Sequence, residues 1–154
     1  MKKRRKYLAL FLLIVISMAV FILSSQDGET SSKLSASANT FFSENPKIKY
    51  FRWNYARWSY SIPIRKVAHI FLFSIIGVIL MSLLDKVKYQ LRIVIATGCL
   101  MGALDELHQF FVSGRTATAS DVFIDVLGVL IGISLYYVVV KLKKCLGKGE
   151  KTNA

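Results

Sequence analysis

The stretch 93-IVIATGCLMGALDELHQFF-111 decides how this chain is read. Its first twelve residues carry no charge and read like the inside of a membrane. Asp105, Glu106, His108 and Gln109 then arrive almost together, and aromatics follow. A spanning helix needs ~20 mostly apolar residues, and the run 91–112 meets that length despite its polar end. The stretch therefore predicts a membrane helix whose last turns carry ionisable groups, and those groups need partners.

Three further runs flank it. Residues 7–23 carry no charge, 67–84 are broken only by His69, and 122–140 are broken only by Asp125. Backbone amides in lipid must be hydrogen-bonded within their own segment, so each run should be a helix. The expectation is an all-α bundle of four transmembrane helices, at about 7–23, 65–84, 91–112 and 121–141, forming a single domain over 1–154. The basic start and apolar run of the first segment also describe a signal peptide. The one small-residue cleavage pattern, near 35–38, lies far past that run, which favours a retained span.

Composition agrees with a membrane protein. The 154 residues are 54% hydrophobic, with a mean hydropathy of +0.47. The formal charge is +12, from 21 Lys and Arg against 9 Asp and Glu. These charges gather at the ends of apolar runs and not along a soluble basic face, which argues for lipid and against nucleic acid. The two cysteines, Cys99 and Cys145, fall at different depths and form neither a disulfide framework nor a metal-ligand spacing. Dinucleotide, Walker A and HExxH fingerprints are absent, and no cofactor is expected from motifs.

Orientation follows from the basic residues. The N-terminal 2-KKRRK-6, the 84–92 connection and the C-terminal tail hold 13 of the 21 Lys and Arg. The positive-inside rule places these segments, and so both termini, in the cytoplasm. The long connection 24–64 then lies outside. Its second half interleaves Tyr50, Phe51, Trp53, Tyr55, Trp58 and Tyr60 with Arg52 and Arg57, a composition suited to the headgroup layer. It reads as an interfacial anchor or, more sharply, as a lid over a lipid-linked substrate.

At about 100° per residue, the polar residues of each helix share a face. Arg65, Lys66 and His69 lie together on the second helix. Gly98, Gly102, Asp105, Glu106 and Gln109 lie together on the third, and Asp121, Asp125, Gly128 and Gly132 on the fourth. Glycines four apart permit close helix approach in lipid, so the third and fourth helices are expected to pack along these stripes. In the inferred orientation every polar group, with Arg115 in the connecting loop, falls at the outer end. An outward-facing pocket follows, in which Arg65, Lys66 and Arg115 offset four carboxylates. A buried salt-bridge network that fixes helix register is the purely structural alternative. Ionisable groups at membrane depth point by default to function. His108 sits partly off the polar face, and Ser24 and Ser25 read as helix-terminus residues.

Three stretches, 65-RKVAHIFLFSIIG-77, 105-DELHQFFVSGR-115 and 121-DVFIDVLGVLIG-132, resemble the VanZ-like family of small bacterial membrane proteins, and 24-SSQ-26 resembles it too. The resemblance implies signature positions at Lys66, His69, Asp105, Glu106, Gln109, Gly114, Arg115, Asp121, Asp125 and Gly128. Asp125 departs from a position where the family often has Asn, which argues against an obligatory base there. The resemblance also implies a place in the bacterial cell membrane and a link to low-level teicoplanin resistance, without implying a reaction.

Three functions compete. The first is a non-enzymatic protein that alters how a glycopeptide or lipid-linked cell-wall precursor engages the outer leaflet. The second is a membrane enzyme acting on a lipid-linked phosphate or sugar. There, Lys66 and Arg115 would hold the anionic headgroup, and Gln109, Asp121 and Asp125 would complete the substrate-binding set. Glu106 or Asp105 would be the general base and His69 the acid or orienting partner. A divalent cation on Asp105, Glu106 and Asp121 suits carboxylate chemistry, although no spacing requires one. The third is a transporter or proton relay, for which four helices need an oligomer. Membrane lipids are the expected partners throughout.

Overall fold

The computed structural model describes residues 3–30, 33, 37, 64–115 and 118–149. Four long helices carry the chain: α1 (Lys3–Ser25), α2 (Ile64–Leu83), α3 (Gln90–Phe110) and α4 (Ala119–Gly149). Among the described residues there is no strand. The aromatic and basic stretch 50–60 and the side chain of Arg65 lie outside the described residues.

Among the described residues, three helices are long and apolar enough to cross a membrane: Lys3–Ser25, Lys66–Leu83 and Ala119–Leu146. Helix α3 has the length, at 21 residues, but its DELHQ cluster dilutes the apolar run. The surfaces of α1 and α4 explain the solvent they need. Tyr7, Leu8, Phe11, Phe21 and Ile22 of α1 are exposed, as are Phe123, Leu135 and Val138 of α4. Apolar surface on this scale is unstable in water and normal against lipid.

Helix α4 runs to Gly149, past the expected end near 141. Its 31 residues make a rod of about 46 Å at ~1.5 Å per residue, against a hydrocarbon core of ~30 Å. The last turns, with Lys141, Lys143 and Lys144 exposed, therefore extend beyond the apolar layer.

The closest packing joins α2 to α4 and not α3 to α4, as the glycine spacing had suggested. A Cβ on Gly132 would overlap the carbonyl oxygen of Ser74, and one on Gly128 would stand 2.7 Å from that of Ile70. Gly77 of α2 answers them, 2.6 Å from the Val129 carbonyl by the same construction. The stripe on α3 packs differently. Gly98 receives the Val129 side chain, and Gly102 lies against Asp125. Both glycine stripes thus serve α4, on two of its sides. Phe73, Ile76, Met81, Val94, Val129 and Ile133 fill the buried core between the helices.

A tight turn links α2 to α3. Lys86 and Tyr89 both take positive φ, at 74° and 64°, and the Gln90 side chain donates to the Met81 carbonyl at 2.6 Å. This bond satisfies an otherwise unpaired carbonyl near the end of α2.

Candidate functional site

The N-terminal turns of α2, the C-terminal turns of α3 and the first turns of α4 meet at one end of the bundle. There they enclose a cavity of about 100 Å³ lined by Lys66, His69, Glu106, Gln109, Asp121, Ile124 and Asp125. All eight residues singled out from the sequence are at this end of the bundle. Six of them line the cavity, and Asp105 touches it through His69 and Gln109.

His69 is the centre of the arrangement. Its Nδ1 lies 3.2 Å from Asp125 Oδ1 and 3.7 Å from Asp105 Oδ2. A carboxylate only accepts, so Nδ1–H donates to Asp125. Gln109 Nε2 donates to Asp105 Oδ2 at 2.6 Å and reaches Ser24 Oγ at 3.4 Å. His69, Asp105, Glu106, Gln109 and Asp125 are all buried. Buried carboxylates of this kind persist only when paired or hydrogen-bonded.

The rim is less enclosed. Lys66 Nζ pairs with Asp121 Oδ1 at 2.8 Å, and both side chains are partly exposed. Glu106 Oε2 accepts the Thr118 backbone N–H at 2.9 Å. Thr118 precedes α4, so this carboxylate anchors the chain at the positive end of that helix, where negative charge is favoured. Glu106 therefore has a structural bond as well as a place in the cavity wall.

Arg115 is the exception. It does not line the cavity. Its Nε donates to the Gln26 carbonyl at 2.7 Å and its Nη2 to the Leu23 carbonyl at 3.0 Å. A guanidinium fork matches the orphan carbonyls at the end of α1, and the charge complements the helix dipole there. The adjacent loop supports the same junction. Gly28 N donates to the Ser113 carbonyl at 3.2 Å, and Gly114 takes φ +71° with its carbonyl so near Gly28 that no Cβ fits.

The end of α1 is thus part of the site's framework, which sequence reasoning missed. Ser24 is fully buried beneath Gln109. Ser25 donates to the Phe21 carbonyl at 2.7 Å and meets His108 Nε2 at 3.0 Å. The single hydroxyl proton is committed to Phe21, so His108 is the donor in the second bond. His108 also stacks on Phe21, with centroids 4.3 Å apart. It faces α1 and not the cavity. The only sequence signal was 24-SSQ-26, polar residues ending an apolar helix.

Among the described residues, Lys66 is the one Lys or Arg that lines the cavity. The near-balance expected from the sequence depended on Arg65, whose side chain lies outside the described residues, and on Arg115, which is committed elsewhere. With Asp105, Glu106, Asp121 and Asp125 gathered here, the described part of the site is acidic.

The VanZ/LLP1 family model matches residues 9–140. This chain belongs to the VanZ/LLP1 family. The match runs through all four helices and takes in every residue that lines the cavity. No curated protein and no solved structure matches the chain. Family membership and the apolar helices together make it a VanZ-like membrane protein.

Proposed function

We propose that this VanZ-like chain is a multi-pass protein of the bacterial cell membrane. All four helices cross, both termini lie in the cytoplasm, and the cavity opens at the outer face. In this reading it lowers susceptibility to teicoplanin-type glycopeptides by altering how the drug, or a lipid-linked cell-wall precursor, engages the outer leaflet. The observation that carries the reading is the cavity itself, walled by ionisable side chains from three helices inside an apolar shell. The orientation is supported by the basic residues, which gather at the opposite end in 3–6, 86–92 and 141–148.

Size narrows what the cavity takes. Sites for drug-sized ligands are ~300–1,000 Å³, whereas this one is about 100 Å³. A glycopeptide does not fit inside. A phosphate or hydroxyl group of a precursor does, with Lys66 as the cation at the rim. The protein therefore acts on the precursor's side of the encounter and not by swallowing the drug.

A second reading, a membrane enzyme acting on a lipid-linked phosphate or sugar, is favoured by the His69–Asp125 pair beside Glu106. A carboxylate that orients an imidazole is a recurring acid–base device. The test is glycopeptide susceptibility in a deletion strain complemented with wild type or Glu106→Gln at matched membrane levels, with teicoplanin and vancomycin compared. Restoration of teicoplanin tolerance by wild type alone is the expected result. Equal restoration by both removes Glu106 from the function. No restoration by either, with both proteins present, overturns the teicoplanin reading.

A further inference from the structure

Three side chains from three helices point at one spot: His69 of α2, Asp105 of α3 and Asp125 of α4. One ligand-capable atom from each lies within 4.8 Å of the others. The exposures are 7%, 7% and 1%. Asp125 Oδ2 is buried with no hydrogen-bond partner among the described residues. Gly102 leaves room beside that oxygen, since an added Cβ would stand 3.2 Å from it.

A His–Asp pair that serves only as a structural tie needs one carboxylate. Here two face the same imidazole nitrogen. Even with the imidazole protonated, the trio keeps a negative charge. Glu106 adds a second, and Lys66 is already paired with Asp121. Uncompensated buried negative charge is costly. The cation that would balance it is not supplied by the described residues of the cavity.

We propose that His69, Asp105 and Asp125 hold a divalent metal ion. Imidazole with carboxylates suits ions of the Mn²⁺ and Zn²⁺ class. Bonds of about 2.0–2.2 Å place neighbouring ligand atoms roughly 3–3.5 Å apart. The Nδ1 to carboxylate separations of 3.2 and 3.7 Å sit close to that spacing. Nδ1 must shed its proton to ligate, so the bond to Asp125 gives way to the metal bond. Gln109 holds Asp105 in place, as partners of ligating carboxylates do. The ion's remaining positions face the cavity of about 100 Å³. At ~30 Å³ per water, that is room for a few waters or one phosphoryl oxygen group.

The site differs from the Asp105, Glu106 and Asp121 set expected from the sequence. Glu106 is tied to Thr118, and Asp121 to Lys66. The inference rests on geometry and charge and not on the teicoplanin reading. A chain that binds the ion without changing drug tolerance keeps the inference and loses that reading.

The experiment titrates Mn²⁺ into the full-length, metal-stripped protein in lipid nanodiscs and reads pulsed EPR. The chain has two histidines, so a nitrogen coupling has two candidate sources. The expected result is one Mn²⁺ per chain with an imidazole nitrogen coupling. His108→Gln keeps the coupling, and His69→Gln removes it. Asp125→Asn retains an oxygen donor but loses the negative charge, so it keeps the coupling at a lowered affinity. Size-exclusion and helical circular dichroism check that each variant is folded. If His69→Gln does not fold, the His108→Gln chain, with His69 its only imidazole, still decides the matter. No bound Mn²⁺, bound Mn²⁺ without nitrogen coupling, or a coupling lost in His108→Gln overturns the proposal.

Discussion

At the residue scale, Arg115 and Gly132 make the sharpest claims. Arg115 closes the end of α1 with two hydrogen bonds through one planar group. A lysine carries the charge but cannot fork. Arg115→Lys should therefore lower stability by roughly 1–3 kcal/mol, the scale of a charged hydrogen bond. It should also speed amide exchange at residues 23–27, while residues 66–81 of α2 stay protected. Unchanged exchange at the end of α1 would mean that the fork is incidental. Gly132→Ala places a methyl group on the Ser74 carbonyl. Overpacking of this sort costs about 1–3 kcal/mol, and rigid backbone on both sides puts the expectation at the upper end. Thermal unfolding in detergent should show it. Gly102→Ala, whose new atom would stand 3.1 Å from a side-chain carbon, should be milder. The sequence showed the polar residues of the site because their types are rare in apolar runs. It did not show what Arg115 binds, since backbone carbonyls at a helix end leave no mark in residue identity. Ser24 is the helix-terminus residue it was read as, but its burial was hidden for a related reason. A serine at the end of a helix looks the same whether it faces solvent or lies beneath Gln109.

Helices are the next scale. The helical periodicity grouped Asp105, Glu106 and Gln109 with Gly98 and Gly102, and all five are buried on one side of α3. Which helix each stripe meets was not legible. Small-residue spacing says that something comes close, but not what, and Gly77 lay unnoticed among the large residues of α2. The end of α4 was also misjudged. The lysines from 141 onward end the apolar run but do not end the helix, because lysine is a good helix former. Helices α1 and α3 are joined near the site by Ser25 and His108. Ser25→Ala removes that bond at an exposed position and should cost no more than about 0.5–1.5 kcal/mol. The His108 ring should then gain mobility, which NMR order parameters of its side chain would report.

For the whole molecule, the proposed topology makes a labelling prediction. Cys99 lies in the middle of α3 and Cys145 in the basic end of α4, both exposed on the protein surface. In intact cells a membrane-impermeant maleimide should label neither, because one faces lipid and the other the cytoplasm. Ser113→Cys, in the loop after α3, should be labelled at once. Labelling of Cys145 in intact cells would invert the topology and place the cavity at the inner face. The all-helical architecture was legible because apolar length is a property of whole segments, which the run of residue types reports directly.

The polar end of α3 has a consequence for how the protein is made. A helix bearing Asp105, Glu106 and Gln109 is a poor candidate to enter lipid alone, since an acid at the bilayer centre costs ~3 kcal/mol on insertion scales. Two of its partners, Ser24 and His69, precede it in the chain, whereas Asp125 and Thr118 are synthesised afterwards. In the proposed four-span topology helix α3 should therefore linger at the translocon until α4 emerges, and the two should integrate as a hairpin. A ribosome-bound chain stopped near residue 150, with α3 clear of the exit tunnel and α4 still inside it, should hold α3 where it can still be extracted by alkali. Release of α4 should make the whole bundle resistant in one step.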